Sequence, residues 1–100
     1  MDREQETDME LQQLRQDIDA LDRGIVAAIA RRTALGSRIG EIKQERGRPV
    51  LDPAREAAVV RRAAEYARRL GVNEEAVREV FWRLIGLSRC RQRETPAGTP

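Results

Sequence analysis

Two cationic side chains interrupt an otherwise apolar face of a long predicted helix. Arg32 and Lys43 are eleven residues apart, a spacing that returns to the same side of an α-helix within about 20° and separates the two positions by about 16 Å. A charge on a face that packs against another helix is costly unless something pairs with it. The spacing therefore predicts a small anionic ligand bound between helices. The alternative is that Arg32 pairs with a core glutamate and Lys43 extends to solvent at the helix end.

The face that carries both cations follows a repeat of three and four residues, which is typical of a helix that packs against a partner. Its apolar members are Leu11, Leu14, Ile18, Leu21, Ile25, Ala28, Leu35, Ile39 and Ile42. No proline occurs before Pro49, so the repeat predicts one helix over residues 8–46 that ends at Gly47. Three glycines inside this helix each weaken it by about 1 kcal/mol, and a break near residues 36–40 is the rival interpretation.

Two further helices are indicated by their start signals. Asp52 followed by Pro53 is a strong helix start, with aspartate as N-cap and proline at the first helical position. The helix that begins there is predicted to reach Leu70, where the next residue is a glycine. Asn73 can cap a third helix that runs to about residue 93. The predicted fold class is therefore all-α, with one very long helix and two shorter ones.

The lengths of these helices predict an assembly. A helix of about 39 residues is nearly 60 Å long, about twice the length of either other helix. A second copy of the chain can supply the missing cover, so we expect an intertwined homodimer formed by residues 8–93, with residues 1–7 and 94–100 disordered. Arg15 lies about 26 Å from Arg32 along one helix. In an antiparallel dimer, Arg15 of one chain can reach the Arg32 region of the other.

Composition excludes several classes of function. Cys90 is the one cysteine and no histidine is present, so neither an intrachain disulfide nor a Cys/His zinc site can form, and no metal site is expected. A net charge of +2 with three aromatic residues gives little support for nucleic-acid binding. No apolar segment approaches the roughly 20 residues of a membrane span. We expect a cytoplasmic protein without a membrane or nucleic-acid partner.

The third predicted helix also carries polar residues on its inner face. Phe81, Ile85, Ser88 and Gln92 share one side of this helix. Neutral donors at its end suit the orientation of a ligand, although a fraying helix end that becomes polar is the alternative explanation. Arg89 is expected to be one of several solvated side chains of the last turn.

Four segments, taken in order, carry a resemblance to a known family. They are LRQDIDALDRGIVAAIARR at residues 14–32, GEIK at 40–43, RPVLDPAREAAV at 48–59 and LSRCRQ at 87–92. Their order and spacing resemble the all-helical class of chorismate mutases over roughly residues 11–92. The resemblance implies an intertwined dimer with two equivalent sites and no cofactor. It also implies the intramolecular [3,3] rearrangement of chorismate to prephenate, a step of the shikimate pathway towards aromatic amino acids.

The resemblance assigns roles to eight residues. Two are catalytic, Lys43 and Gln92, which would donate to the ether oxygen of the breaking C–O bond. The other six would bind substrate: Arg15 from the partner subunit, Arg32, Asp52, Arg55, Glu56 and Ser88. Arg15, Arg32 and Lys43 would bind the two carboxylates of the substrate, and Arg55 would bind or orient it from the second helix. Asp52 and Glu56 would accept a hydrogen bond from the ring hydroxyl, and Ser88 would contact the ring carboxylate.

Three other functions stay open at this point. A mutase that acts on 4-amino-4-deoxychorismate has the same requirements, because Asp52 and Glu56 suit an ammonium group as well as a hydroxyl. An isochorismate pyruvate lyase shares the fold and a similar set of cations, but the segment from Asp52 to Glu56 matches the mutases better. A non-catalytic helical dimerisation module, fused to or regulating another enzyme, needs none of the inner-face polar residues. A regulatory partner enzyme is also possible.

Overall fold

A computed structural model describes the backbone of residues 2–94 and the side chains of residues 2–89. Its three helices are α1 (Arg3–Glu45), α2 (Pro53–Arg69) and α3 (Glu74–Glu94). The predicted all-α fold class is confirmed. The helix α1 is continuous through residues 36–40, so the rival prediction of a break there is wrong. The predicted tail beyond Glu94 lies outside the described residues.

The first helix begins earlier than predicted. α1 starts at Arg3 rather than near residue 8, so residues 3–7, which we expected to be disordered, are helical. The Asp2 carboxylate accepts a hydrogen bond from the Gln5 N–H at 2.9 Å, which is N-cap geometry. Acidic residues in the first turn also interact favourably with the positive end of the helix dipole. The apolar repeat begins several residues after this cap. A start predicted from the repeat therefore lies too late in the sequence.

Glycines end the first two helices, as predicted. Gly47 has a φ of 65°, in the left-handed region that favours glycine. The Arg48 N–H donates to the Lys43 carbonyl at 2.8 Å, and the Gly47 N–H donates to the Gln44 carbonyl at 3.1 Å. These two bonds form a Schellman cap, and Gly71 ends α2 in the same way with a φ of 72°.

The predicted starts of α2 and α3 are also confirmed. The Asp52 carboxylate accepts a hydrogen bond from the Arg55 N–H at 3.1 Å, and proline occupies the first turn of α2. The Asn73 side-chain oxygen accepts a hydrogen bond from the Ala76 N–H at 2.9 Å. Each cap satisfies one of the N–H groups that the first turn of a helix leaves without a partner. Local sequence signals therefore determine where both helices begin.

The chain forms two compact units, residues 1–31 and residues 32–100. Within the first unit the chain is helical from Arg3 onward, and its apolar repeat is exposed in the single chain, with Leu21 at 67%. Within the second unit α2 packs against α3 around Val60, Ala64, Ala67 and Ile85. Leu70, at the C-cap of α2, is 62% exposed. None of the described helices combines the length and apolar character needed to cross a membrane.

Candidate active site

A cleft of about 230 Å³ lies within the second unit, between the C-terminal part of α1, the start of α2 and the end of α3. Six of the eight residues predicted from the sequence line it: Arg32, Lys43, Asp52, Arg55, Glu56 and Ser88. The apolar part of the wall comes from Leu35, Ile39, Val50, Val59 and Ile85. An apolar pocket with a few convergent polar groups is typical of a small-molecule site.

Two cations of the wall, Lys43 and Arg55, form no ion pair with a described acidic side chain. Across the described part of the chain, neither Lys43 nor Arg55 has a carboxylate within 4.0 Å. Lys43 is half-buried in the last turn of α1, and Arg55 lies in the first turn of α2. The lining holds more cations than carboxylates, and such an excess of positive charge favours an anionic ligand.

Arg32 reaches across to α3. Its Nη1 atom donates to the Ser88 Oγ at 3.4 Å, near the outer limit of a hydrogen bond, and its guanidinium carbon lies 5.9 Å from the centre of the Phe81 ring. Among the described side chains it forms no ion pair with a glutamate. The alternative prediction, that Arg32 pairs with a core glutamate, is therefore wrong. Its charge is held in the wall by a hydroxyl and an aromatic face.

Gly36 allows α3 to approach α1 at this place. A Cβ atom at Gly36 would lie 3.1 Å from both the Cβ and the Oγ of Ser88. Real Cβ contacts are rarely this short, so a larger residue would push Ser88 away. Because Gly36 follows Arg32 by one turn, the same close approach holds the Arg32 and Ser88 side chains side by side.

Asp52 has a structural task as well as a place in the cleft. One oxygen of its carboxylate accepts the Arg55 N–H as the N-cap of α2. The cap holds the carboxylate at the mouth of the cleft, where Asp52 is exposed. A carboxylate has about four lone-pair positions, so the capping bond leaves others for a ligand.

Glu56 and Arg89 form a bidentate ion pair across the cleft wall. Arg89 Nε donates to Glu56 Oε2 at 2.8 Å, and Arg89 Nη2 donates to Glu56 Oε1. The Glu56 side chain is 15% exposed and the Arg89 side chain is 40% exposed. Two parallel N–H to oxygen bonds fix the orientation of both planar groups. The prediction that Arg89 is a solvated side chain of the last turn is wrong.

This ion pair sets the charge state of Glu56. The hydrogen bond from Arg89 holds the pKa of the Glu56 carboxyl below its usual range, and the positive charges of Arg89 and Lys43 act in the same direction. Burial and the negative charge of Asp52 oppose the shift, but they do not outweigh it. The same hydrogen bond raises the pKa of Arg89 above its ordinary value. Both groups are charged at neutral pH.

Two predicted site residues are not among the described residues that line the cleft. Gln92 belongs to α3, but its side chain lies outside the described residues. Arg15 lies in the first unit and is exposed there. Conversely, Arg89 lines the cleft and was not among the predicted site residues. Its position four residues after the buried Ile85 was the available signal, because residues four apart share a helix face.

The fold and the cleft together define an all-helical protein with a cleft whose cations outnumber its carboxylates. Residues 14–93 match the family described as chorismate mutase type II. The chain belongs to this family, and the resemblance drawn from the sequence segments is confirmed.

Three individual proteins are similar to this chain over different shares of their own lengths. A 4-amino-4-deoxychorismate mutase of Streptomyces venezuelae is 43% identical over 65 residues, which are 65% of this chain and 63% of that protein. A chorismate mutase of Methanocaldococcus jannaschii is 31% identical over 84 residues, which are 84% of this chain and 85% of that protein. A T-protein of Haemophilus influenzae is 32% identical over 75 residues, 75% of this chain. The matched region spans only 20% of that T-protein.

Proposed function

We propose that the protein is an isomerase that converts chorismate to prephenate. The observation that carries this proposal is the convergence of six predicted residues on one cleft whose cations outnumber its carboxylates. Chorismate has two carboxylates, which suit such a wall. Membership of the chorismate mutase type II family supports the same activity.

Catalysis of this reaction requires that the substrate is held in a reactive conformer and that the charge developing on the ether oxygen is stabilised. It is an intramolecular rearrangement, so one C–O bond breaks and one C–C bond forms without a nucleophile or a proton transfer. Arg32 and Arg55 would hold the carboxylates and select the compact conformer in which the reacting carbons meet. Lys43 would donate to the ether oxygen as negative charge develops there, where one well-placed donor is typically worth about 3 kcal/mol of barrier. No cofactor takes part in this proposal.

The remaining predicted residues complete the proposed site. Gln92 would donate to the ether oxygen opposite Lys43. Glu56 and Asp52 would accept from the ring hydroxyl, and Ser88 would contact the ring carboxylate. The residues around the ring hydroxyl are fixed before the substrate arrives, Glu56 by Arg89 and Asp52 by the helix cap. A preorganised acceptor loses little entropy when the substrate binds.

We also propose that the working protein is a homodimer to which Arg15 contributes in trans. The exposed apolar repeat of the single chain supports this, because large contiguous apolar faces mark interfaces. A second copy would cover the repeat and bring its Arg15 to the substrate carboxylates in each cleft. The cytoplasmic location remains a prediction from the sequence, and the possible regulatory partner enzyme remains untested.

A second candidate substrate is 4-amino-4-deoxychorismate. The 43% identical relative from Streptomyces venezuelae is a mutase for this compound. Its ammonium group would lie where chorismate has the ring hydroxyl, beside Asp52 and Glu56. Both candidates belong to the same reaction type and use the same cations.

The test follows the loss of chorismate absorbance with purified protein and identifies the product by chromatography. Prephenate as the product supports the proposal, whereas pyruvate release would establish a lyase instead. Lys43→Ala is assayed in parallel, because a dimerisation module without catalysis predicts no change in this variant. Absence of turnover with both chorismate and its 4-amino analogue would overturn the proposal.

A further inference from the structure

The ion pair between Arg89 and Glu56 lies at the part of the cleft that would face the ring substituent of the substrate. It joins α3 to α2 across 33 positions of sequence, and both members line the cleft. Glu56 is the more buried partner, with 15% of its side chain exposed. A largely buried carboxylate with a bidentate guanidinium has its negative charge nearly neutralised by its own protein.

The charges of the whole wall show what Arg89 adds. The described lining contains four cations, Arg32, Lys43, Arg55 and Arg89, and two carboxylates, Asp52 and Glu56. Positive charge in the described lining therefore exceeds negative charge by two, before the arginine that the partner subunit is proposed to add. A dicarboxylate that also carries an ammonium has a net charge less negative by one, so an excess of positive charge in the wall favours the hydroxyl compound, and neutralising Arg89 would lower that excess by one.

We propose that Arg89 is a specificity-determining residue that acts through Glu56 and makes the site prefer a ring hydroxyl over a ring ammonium. This inference rests on the proposed function, because it concerns the substrate of that same cleft. Arg89 is a positioning residue in this role, since its bonds are to Glu56.

The two substituents would respond differently to a neutralised carboxylate. A hydroxyl needs only an acceptor in a fixed orientation, and the oxygens of Glu56 keep lone pairs for it after both bonds from Arg89 have formed. An ammonium would need a net negative environment to replace its lost hydration. Beside Glu56 it would meet the positive charges of Arg89 and Lys43 as well as the negative charge of Asp52, so two cations would face it against one carboxylate that Arg89 does not pair with.

The experiment measures kcat/KM for chorismate and for 4-amino-4-deoxychorismate with the wild-type chain and three variants. Arg89→Met removes the charge and keeps the length of the side chain, and Arg89→Lys keeps the charge. The control is Arg78→Met, which breaks an ion pair with the exposed Glu75 on the same helix, and Arg78 does not line the cleft. We expect the wild type to prefer chorismate. We expect Arg89→Met to shift the ratio of the two kcat/KM values at least about tenfold towards the amino compound, since close charge pairs are commonly coupled by more than this.

The outcomes separate this inference from the proposed function. Arg89→Lys should retain most of the wild-type preference, and Arg78→Met should retain all of it. If Arg89→Met does not fold, Arg89→Gln supplies the neutral variant. An unchanged substrate ratio in either neutral variant, or a wild-type preference for the amino compound, would overturn the inference and leave the mutase function standing. A wild type that turns over neither compound would overturn the mutase function, and this inference with it.

Discussion

Arg32 on α1 and Ser88 on α3 are 56 positions apart in sequence, and their side chains meet in one hydrogen bond of 3.4 Å. The contact depends on the close approach of the two helices beside Gly36. It places a cation and a hydroxyl next to each other on the wall of the cleft. The contact between Arg32 and Ser88 therefore depends on the small size of Gly36.

Gly36→Ala should lower kcat/KM for chorismate several-fold. The added Cβ would contact Ser88 at 3.1 Å and displace α3 from Arg32. Alanine also favours the helix by about 1 kcal/mol, so the free energy of unfolding should change less than the activity does. Gly86→Ala is the matched control, because no atom lies within 4 Å of its Cβ position. A Gly36→Ala enzyme with full activity would contradict the importance of this approach.

Lys43→Met should reduce kcat by about 10²-fold or more, the usual cost of removing one donor from a developing oxyanion. Its thermal unfolding midpoint should stay close to that of the wild type, because no described carboxylate pairs with Lys43. Steady-state kinetics and circular dichroism on the same preparation separate the two effects. A large loss of stability with intact kcat would show that Lys43 is structural.

Acid should selectively remove the stability that comes from the Glu56 and Arg89 pair. The folded-state pKa of Glu56 is lowered from 4.5, so the pair contributes fully above pH 4.5, and the contribution is lost as the pH falls through the folded pKa. Arg89→Met should therefore unfold at a lower temperature than the wild type at pH 7. The gap should shrink below pH 4.5 because protonation of Glu56 ends the advantage of the wild type. Melting curves from pH 7 to pH 3 measure it, and a gap independent of pH would contradict this assignment.

Mixing two inactive variants tests the proposed contribution of Arg15 in trans. Arg15→Ala and Lys43→Ala should each be nearly inactive alone. After unfolding and refolding together in equal amounts, half of the dimers are mixed and each mixed dimer has one intact site, which restores about a quarter of the wild-type activity. Recovery requires that Arg15 and Lys43 of one site come from different chains. No recovery, with mixed dimers shown by mass spectrometry, would place both residues in one chain.

The ends of the helices were predictable from sequence where the capping residues themselves determine them. Gly47, the Asp52-Pro53 pair and Asn73 mark helix ends through the conformations and hydrogen bonds that these residues favour by themselves. The early start of α1 was missed because its cap, Asp2, precedes the apolar repeat by several residues.

The site was predictable only in part. Arg32 and Lys43 stood out because a charge is unexpected on an apolar face. Arg89 did not, since it is one arginine among several near the end of α3, and its partner Glu56 lies in another helix. A salt bridge between helices depends on how α2 and α3 pack, which no local pattern encodes.

The interior of the described chain is small, since its buried hydrophobic residues are two alanines of α2, Val60 and Ile85. So few buried side chains give a lone chain little reserve against the entropy of unfolding. In the proposed homodimer, the second copy that covers the exposed repeat of α1 would then supply much of the folding free energy. By mass action, the melting temperature would rise with protein concentration. Dilution below the dissociation constant of such a dimer would therefore lower both its stability and its activity.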